Sequence, residues 1–353
     1  VQQAAIMLFE YQTGLIADRF GRQRSLLISY GLMALLLPWW AVFVSFPHLI
    51  ILSLLWGIAY TFQSGAKEAL MINQLDLIND EHRRTSTFAH ISQIGNVGAV
   101  VGGAVAIVLA VTSLRWLWFG GAVLYGVLFL LALFFLHGVS RHALQTTRYR
   151  DTAFIYTALK NLRSAWRVQP IRYLVILSFV FSAVASAFTL IYPIIFKLQF
   201  HFPDYIFGVL GIATSLIGII GIGIAKRVAL RFGHHQLLLY FSYFLILALF
   251  LFGLSGITPL LLAAFFAISM IIHGWTPVYQ SLLNRYLPES SRAGLLSFVS
   301  SVGLAGMAFG GFMGGYLSSM VRPQLVLVLS GCFLLVGVIL QRCFQRIESG
   351  NTA

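Results

Sequence analysis

Glu10 is the residue of this chain best placed to do chemistry. It stands in the apolar run 1–17, eight residues ahead of Asp18, a separation of about 12 Å in a helix. If that run crosses a bilayer, Asp18 marks its aqueous end and Glu10 its middle. A charge held there costs at least roughly 2.5–3.5 kcal/mol, and acids that persist at such depth face a cavity or take part in proton or ion coupling. Glu10 is therefore a candidate for protonation or cation binding, the alternative being an acid hydrogen-bonded within the protein. Glu68, next to Lys67, reads either as half of a local charge pair or as a second coupling acid. No paired catalytic acids, nucleophile and base, or phosphate loop points to an enzyme, and no cofactor is expected.

The elements that position these acids follow from composition. Of 353 residues, 59% are hydrophobic, 14% aromatic and only 9% charged, which leaves too little polar surface for a soluble domain of this length. The chain reads as an all-α integral membrane protein. Eleven apolar runs approach the length of a span: about 1–17, 25–46, 49–71, 87–111, 114–137, 171–198, 205–225, 236–255, 258–281, 294–319 and 324–341. They lack the alternation of an outer-membrane barrel. The net charge of +13 does not signal nucleic acid, because the cations cluster on alternate loops. Nineteen Lys and Arg fall on one side, against Arg115, Lys197 and Arg322 on the other, with Lys67 inside a span. The positive-inside rule then puts the C-terminus of this multi-pass protein in the cytoplasm, the cell membrane being the expected location. Cys332 and Cys343 lie in or beside the last span and imply neither a disulfide framework nor a zinc site.

Between the first two runs stands GLIADRFGRQR. It resembles the cytoplasmic loop between the second and third helices of the major facilitator superfamily, roughly G-x-L-x-D-R-x-G-R-R/K, matched here by Gly14, Leu15, Asp18, Arg19, Gly21, Arg22 and Arg24. The resemblance implies alternating-access transport, with this loop as a gate latching the two halves of the fold. Asp18 would then sit against the positive N-terminus of a neighbouring helix, the one beginning near Ala293. A degenerate copy follows later as Leu230, Arg231, Phe232 and Gly233, without the acid. Glu10, Thr13 and Gly14 also resemble an E-x-P-T-G element of an efflux branch of the superfamily, although Tyr11 and Gln12 depart from it. Ser64, Gly65, Glu68, Ala69 and Leu70 resemble that branch's S-G-x-x-E-A-L element. Ser53 stands where the family arginine of the fourth helix is expected, and Ala99 replaces the proline of the antiporter element G-P-x-x-G-G.

In the superfamily the first, fourth, seventh and tenth helices line the substrate cavity. That places Tyr60, Gln63, Tyr192, His273, Trp275, Tyr279 and Gln280 there, aromatic and amide side chains suited to a mostly apolar ligand with a few polar groups. Each also reads as packing, and one histidine in a helix makes no metal site. The sixth and ninth helices, WLWFGGAVLYGVLFLLALFFL and LLLYFSYFLILALFLFG, are lipophilic throughout and should face lipid.

The chain also repeats itself. SQIGNVGAVVGG at 92–103 returns as SSVGLAGMAFGG at 300–311, so Gly95, Gly98, Gly102 and Gly103 recur 208 residues later as Gly303, Gly306, Gly310 and Gly311. Their small-xxx-small spacing is that of helices packed backbone to backbone. A duplication matches the two six-helix bundles of the superfamily. Four spans precede Gly303 within its half but only three precede Gly95, so the expectation is eleven helices of twelve, with the first one missing. The halves are 1–137 and 171–353, joined by a cytoplasmic linker at 138–170, where Ile155, Leu159, Leu162 and Trp166 have the spacing of an amphipathic helix.

Together these features point to proton-coupled efflux of small amphipathic molecules by a transporter that is monomeric as far as the sequence favours any state. Metabolite uptake and a truncated, non-transporting membrane protein are the alternatives. The partners implied are a small-molecule substrate, protons and the bilayer.

Overall fold

Long apolar runs leave helices as the way to satisfy every backbone N–H and C=O inside a bilayer, and the computed structural model, which describes residues 1–77, 84–136, 169–286 and 292–350, is built from them. Eleven helices are described: α1 (Gln2–Phe20), α2 (Arg22–Val42), α3 (Phe46–Leu77), α4 (Arg84–Thr112), α5 (Arg115–Leu136), α6 (Gln169–Leu198), α7 (Asp204–Phe232), α8 (His234–Leu254), α9 (Thr258–Tyr286), α10 (Arg292–Met320) and α11 (Pro323–Gly350). Nine of them hold a stretch long and apolar enough to cross a membrane. In α1 the charges of Glu10, Asp18 and Arg19 crowd nineteen residues, and α4 adds the shorter apolar stretch Val97–Thr112 among the described residues. The amphipathic helix expected in the linker lies outside the described residues.

The duplication seen in sequence reappears as helix lengths. α2 and α8 both have 21 residues and start 212 positions apart, while α4 and α10 both have 29 and start 208 apart. The register therefore changes by four residues between the third and fourth helices of each set.

The chain divides into two units, Val1–Arg148 with Asp204–Gly211, and Tyr149–Pro203 with Ile212–Ala353. In the first unit, small residues let α1 touch α3: a methyl on Gly57 would come within 2.7 Å of Ala5 Cβ and of the Gln2 carbonyl. Two hydroxyls tie α2 to α3, Ser25 Oγ donating to the Phe62 carbonyl at 2.6 Å and Ser29 Oγ to that of Ala59 at 2.7 Å. Trp40 of α2 stacks on Trp118 of α5, ring centroids 5.2 Å apart.

In the second unit α6 lies against α10 so closely that a methyl on Gly306 would overlap the Phe179 carbonyl, and one on Gly310 that of Ala183. Phe196, Leu249, Phe252, Ile268 and Leu327 are fully buried within this unit. The expectation that α8 faces lipid needs correction. Leu238, Leu245, Leu249 and Phe252 are buried, and Tyr240, Phe244, Leu247, Leu251 and Leu254 are exposed. A helix that is apolar all round hides which face meets lipid and which meets protein. α5 does present a broad apolar surface, with Phe134 and Phe135 at 83% and 77% exposure.

Candidate functional site

α1 ends at Gly21, whose φ of +99° excludes residues bearing a Cβ except at the cost of strain. Its N–H donates to the Ala17 carbonyl at 2.9 Å, its own carbonyl accepts from Ser25 N–H at 3.2 Å, and α2 begins at once with Arg22. Gly233 repeats the device between α7 and α8, with φ +86° and its N–H on Ala229. The signature glycine is thus a one-residue break between consecutive helices. Asp18 and Arg19 occupy the last turn of α1 and Arg24 is exposed early in α2, so the charges are concentrated at one end of the pair. Gly14 has open space where a side chain would stand.

The break fixes Glu10 at the middle of α1. Its carboxylate accepts from Ser64 Oγ of α3 at 3.5 Å, a long contact. Thr13, one turn later and buried, spends its hydroxyl on the carbonyls of Phe9 and Glu10 at 3.0 and 3.2 Å. The two sequence elements that share a resemblance, around Glu10–Gly14 and Ser64–Leu70, therefore meet in space. Tyr60, Ser64 and Lys67 share one face of α3 by their spacing. Tyr60 and Lys67 are exposed and Gln63 is half-buried. Glu68 lies in the same helix, and its side chain is outside what the structure describes, as is that of Asp18. Sequence reasoning did not single out Ser25 and Ser29. The available signal was their i, i+4 spacing in an apolar helix, the pattern of interhelical hydroxyls.

The aromatic candidates of the second unit are largely occupied with one another. Trp275 of α9 is sandwiched between Phe181 of α6, at 3.8 Å and 6°, and Tyr279, at 4.3 Å and 11°. Tyr279 donates its hydroxyl to the Leu174 carbonyl at 2.8 Å. Trp275 and Tyr279 are each only 4% exposed. Tyr192 packs in a cluster with Phe188, Phe196 and Phe265. His273 holds the Ser269 carbonyl through Nδ1 at 2.7 Å and lies over Gly218, whereas Gln280 is exposed. The glycines divide the same way. Gly303, Gly306, Gly310 and Gly311 press on α6, while nothing lies within 4 Å of a methyl placed at Gly95, Gly98 or Gly102, and Gly103 is half-buried.

A helical, internally duplicated, multi-pass membrane protein with an isolated acid in mid-helix has the make-up of a secondary transporter. The match of residues 1–277 to the family model of the Major Facilitator Superfamily makes the assignment specific: the chain belongs to that superfamily. No curated protein matches it closely. Among solved structures it is similar to the nucleoside transporter NupG, with 16% identity and a TM-score of 0.75 over 97% of this chain and 87% of that one. It is also similar to a D-xylose-proton symporter, with 16% identity and a TM-score of 0.72 over 96% and 84%. The human organic anion transporter MFSD10 gives 16% identity and 0.61 over 96% and 82%. At such identities the likeness is one of fold, and with the family model it makes this protein a transporter of the superfamily.

Proposed function

We propose that this transporter couples the movement of small amphipathic molecules to protons at Glu10, in the direction of efflux. The observation that carries the coupling reading is Glu10 in the middle of α1 with Ser64 Oγ as its neighbour on α3. Alternating access exposes this acid to one side of the membrane and then the other, so a proton taken on one side is released on the other. The loop from Gly14 to Arg24 gates that cycle. Tyr60 and Gln63 on α3 of the first unit, and Tyr192, His273 and Gln280 on α6 and α9 of the second, serve the substrate path, while the stacked and buried Trp275 and Tyr279 shape the protein behind it. A second reading, proton-coupled uptake, is supported by the fold likeness to a D-xylose-proton symporter.

The test is transport by the complete gene product in vesicles with internal pH monitored. Substrate entering by symport acidifies the interior, and substrate exchanged for protons alkalinises it, so the sign of the change separates the readings. Glu10→Gln keeps shape and hydrogen-bonding capacity while losing the titration. It should retain substrate exchange and lose uphill movement and proton flux. Substrate-linked proton flux equal to the parent's would remove Glu10 from the coupling role. Asp18→Asn should insert normally with much reduced flux; full flux would leave the loop as a topology signal alone.

A further inference from the structure

α10 and α11 are joined by only Val321 and Arg322, yet they touch one another sparingly, because each packs along α6 instead. Between them lies a cleft of about 160 Å³, floored by Ala183 and Ala187 of α6. Its walls are apolar. Even Ser330, which stands in them, spends its hydroxyl on the Val326 carbonyl of its own helix at 2.8 Å. At the rim Phe309 and Leu329 are 42% and 48% exposed, so the cleft opens sideways towards lipid.

One end is shut and the other carries a charge. Phe309 of α10 and Phe333 of α11 approach with ring centroids 6.1 Å apart, and Phe309 also meets Phe179 of α6 at 5.6 Å. Phe309 stands about 15 Å of helical rise before the end of α10, and Phe333 the same distance after the start of α11. That is half of a hydrocarbon core about 30 Å thick, so the cleft is one leaflet deep and closed near the bilayer midplane. Leu317 and Val326 line the other end, and the short connection between them holds Arg322. Arg322 is exposed and has no acid partner among the described residues. α11 starts beside it at Pro323 with no acid in its first turn, which adds the positive end of a helix dipole.

These features select an occupant. The volume is below the roughly 300 Å³ of small-molecule sites, whereas a slot one leaflet deep and open to lipid seats an extended chain. Apolar filling by itself distinguishes nothing, since bilayer tails are as apolar as the walls. The guanidinium at the mouth does distinguish, because its N–H groups pair with phosphate oxygens.

We propose that the cleft between α10 and α11 binds one acyl chain of an anionic phospholipid, with the headgroup phosphate held at Arg322, in the leaflet opposite the basic loops. The site shares no residue with Glu10, the gate loop or the substrate path, and it stands whichever way transport runs.

The test titrates the full chain, purified and delipidated in a neutral maltoside detergent, with phosphatidylglycerol or phosphatidylcholine of identical acyl chains, and counts bound lipid by native mass spectrometry. One lipid per chain is expected in the tightest class, with phosphatidylglycerol about fivefold tighter, as one cation at an anionic headgroup gives. Arg322→Gln should abolish that preference with Tm unchanged, while Arg115→Gln, an exposed cation at the start of α5, should match the parent. Ser330→Phe fills the cleft and should weaken both lipids by tenfold or more. Equal binding of the two lipids by the parent, a preference that survives Arg322→Gln, or binding that survives Ser330→Phe would each overturn the site. Dimers of the chain that vanish with Ser330→Phe would overturn it too, by giving the cleft to a second copy. Arg322→Gln decides the headgroup contact even where Ser330→Phe fails to fold.

Discussion

Ser64 is the smallest part of the proposed coupling site, and its replacement tests whether that geometry matters. Its hydroxyl is the hydrogen-bond donor found on Glu10 among the described residues, and a typical intramolecular hydrogen bond contributes about 0.5–1.5 kcal/mol. Ser64→Ala should therefore slow coupled transport by roughly three- to tenfold, with normal expression, against the loss of uphill transport in Glu10→Gln. Rates equal to the parent's would show that the 3.5 Å contact carries nothing. Glu10 itself was legible in the sequence because one acid in an apolar run is conspicuous, and its depth follows from helical rise alone. Its partner was visible only as part of a family-like string, since nothing in the spacing of a single helix says which turn of another will face it. Trp275 and Tyr279 show the opposite limit. Their residue types suit a ligand, yet their rings are consumed by Phe181 and by each other.

Helix pairs in this protein are held by surfaces without side chains as much as by side chains. In a bilayer the hydrophobic effect no longer distinguishes helix from lipid, and close van der Waals approach takes over. That explains why the glycine spacing was readable from sequence while the facing of α8 was not: small residues advertise an interface, whereas leucine serves lipid and core alike. It also gives a sharp expectation. Gly310→Ala places a methyl into the Ala183 carbonyl, main chain that cannot rotate away, so α10 must move off α6. Overpacking of this kind costs about 1–3 kcal/mol or more, and a clear drop in Tm of the purified protein should follow. Gly223→Ala, on α7 with nothing within 4 Å, is the control and should leave Tm near the parent's. Equal stability of the two variants would mean that α6 and α10 are not in backbone contact.

At the scale of the whole chain, the positions of charges and the repeat agree on one arrangement. In a topology where every described helix crosses once, the glycine breaks at Gly21 and Gly233, which join equivalent helices of the two sets, are expected on the same side. Both breaks are flanked by arginine, Arg19, Arg22 and Arg24 at the first and Arg227 and Arg231 at the second, whereas the connections holding Arg115, Lys197 and Arg322 carry few cations. For equivalent helices to share orientation, an odd number of crossings must separate α5 from α7, and α6 supplies that one crossing. The prediction is that reporters fused near Leu144 and after Glu348 both read as cytoplasmic, as the nineteen-to-three asymmetry demands. A reporter on the far side of the membrane at either position would break the parity, and with it the pairing of α1–α5 with α7–α11 on which the duplicated architecture rests.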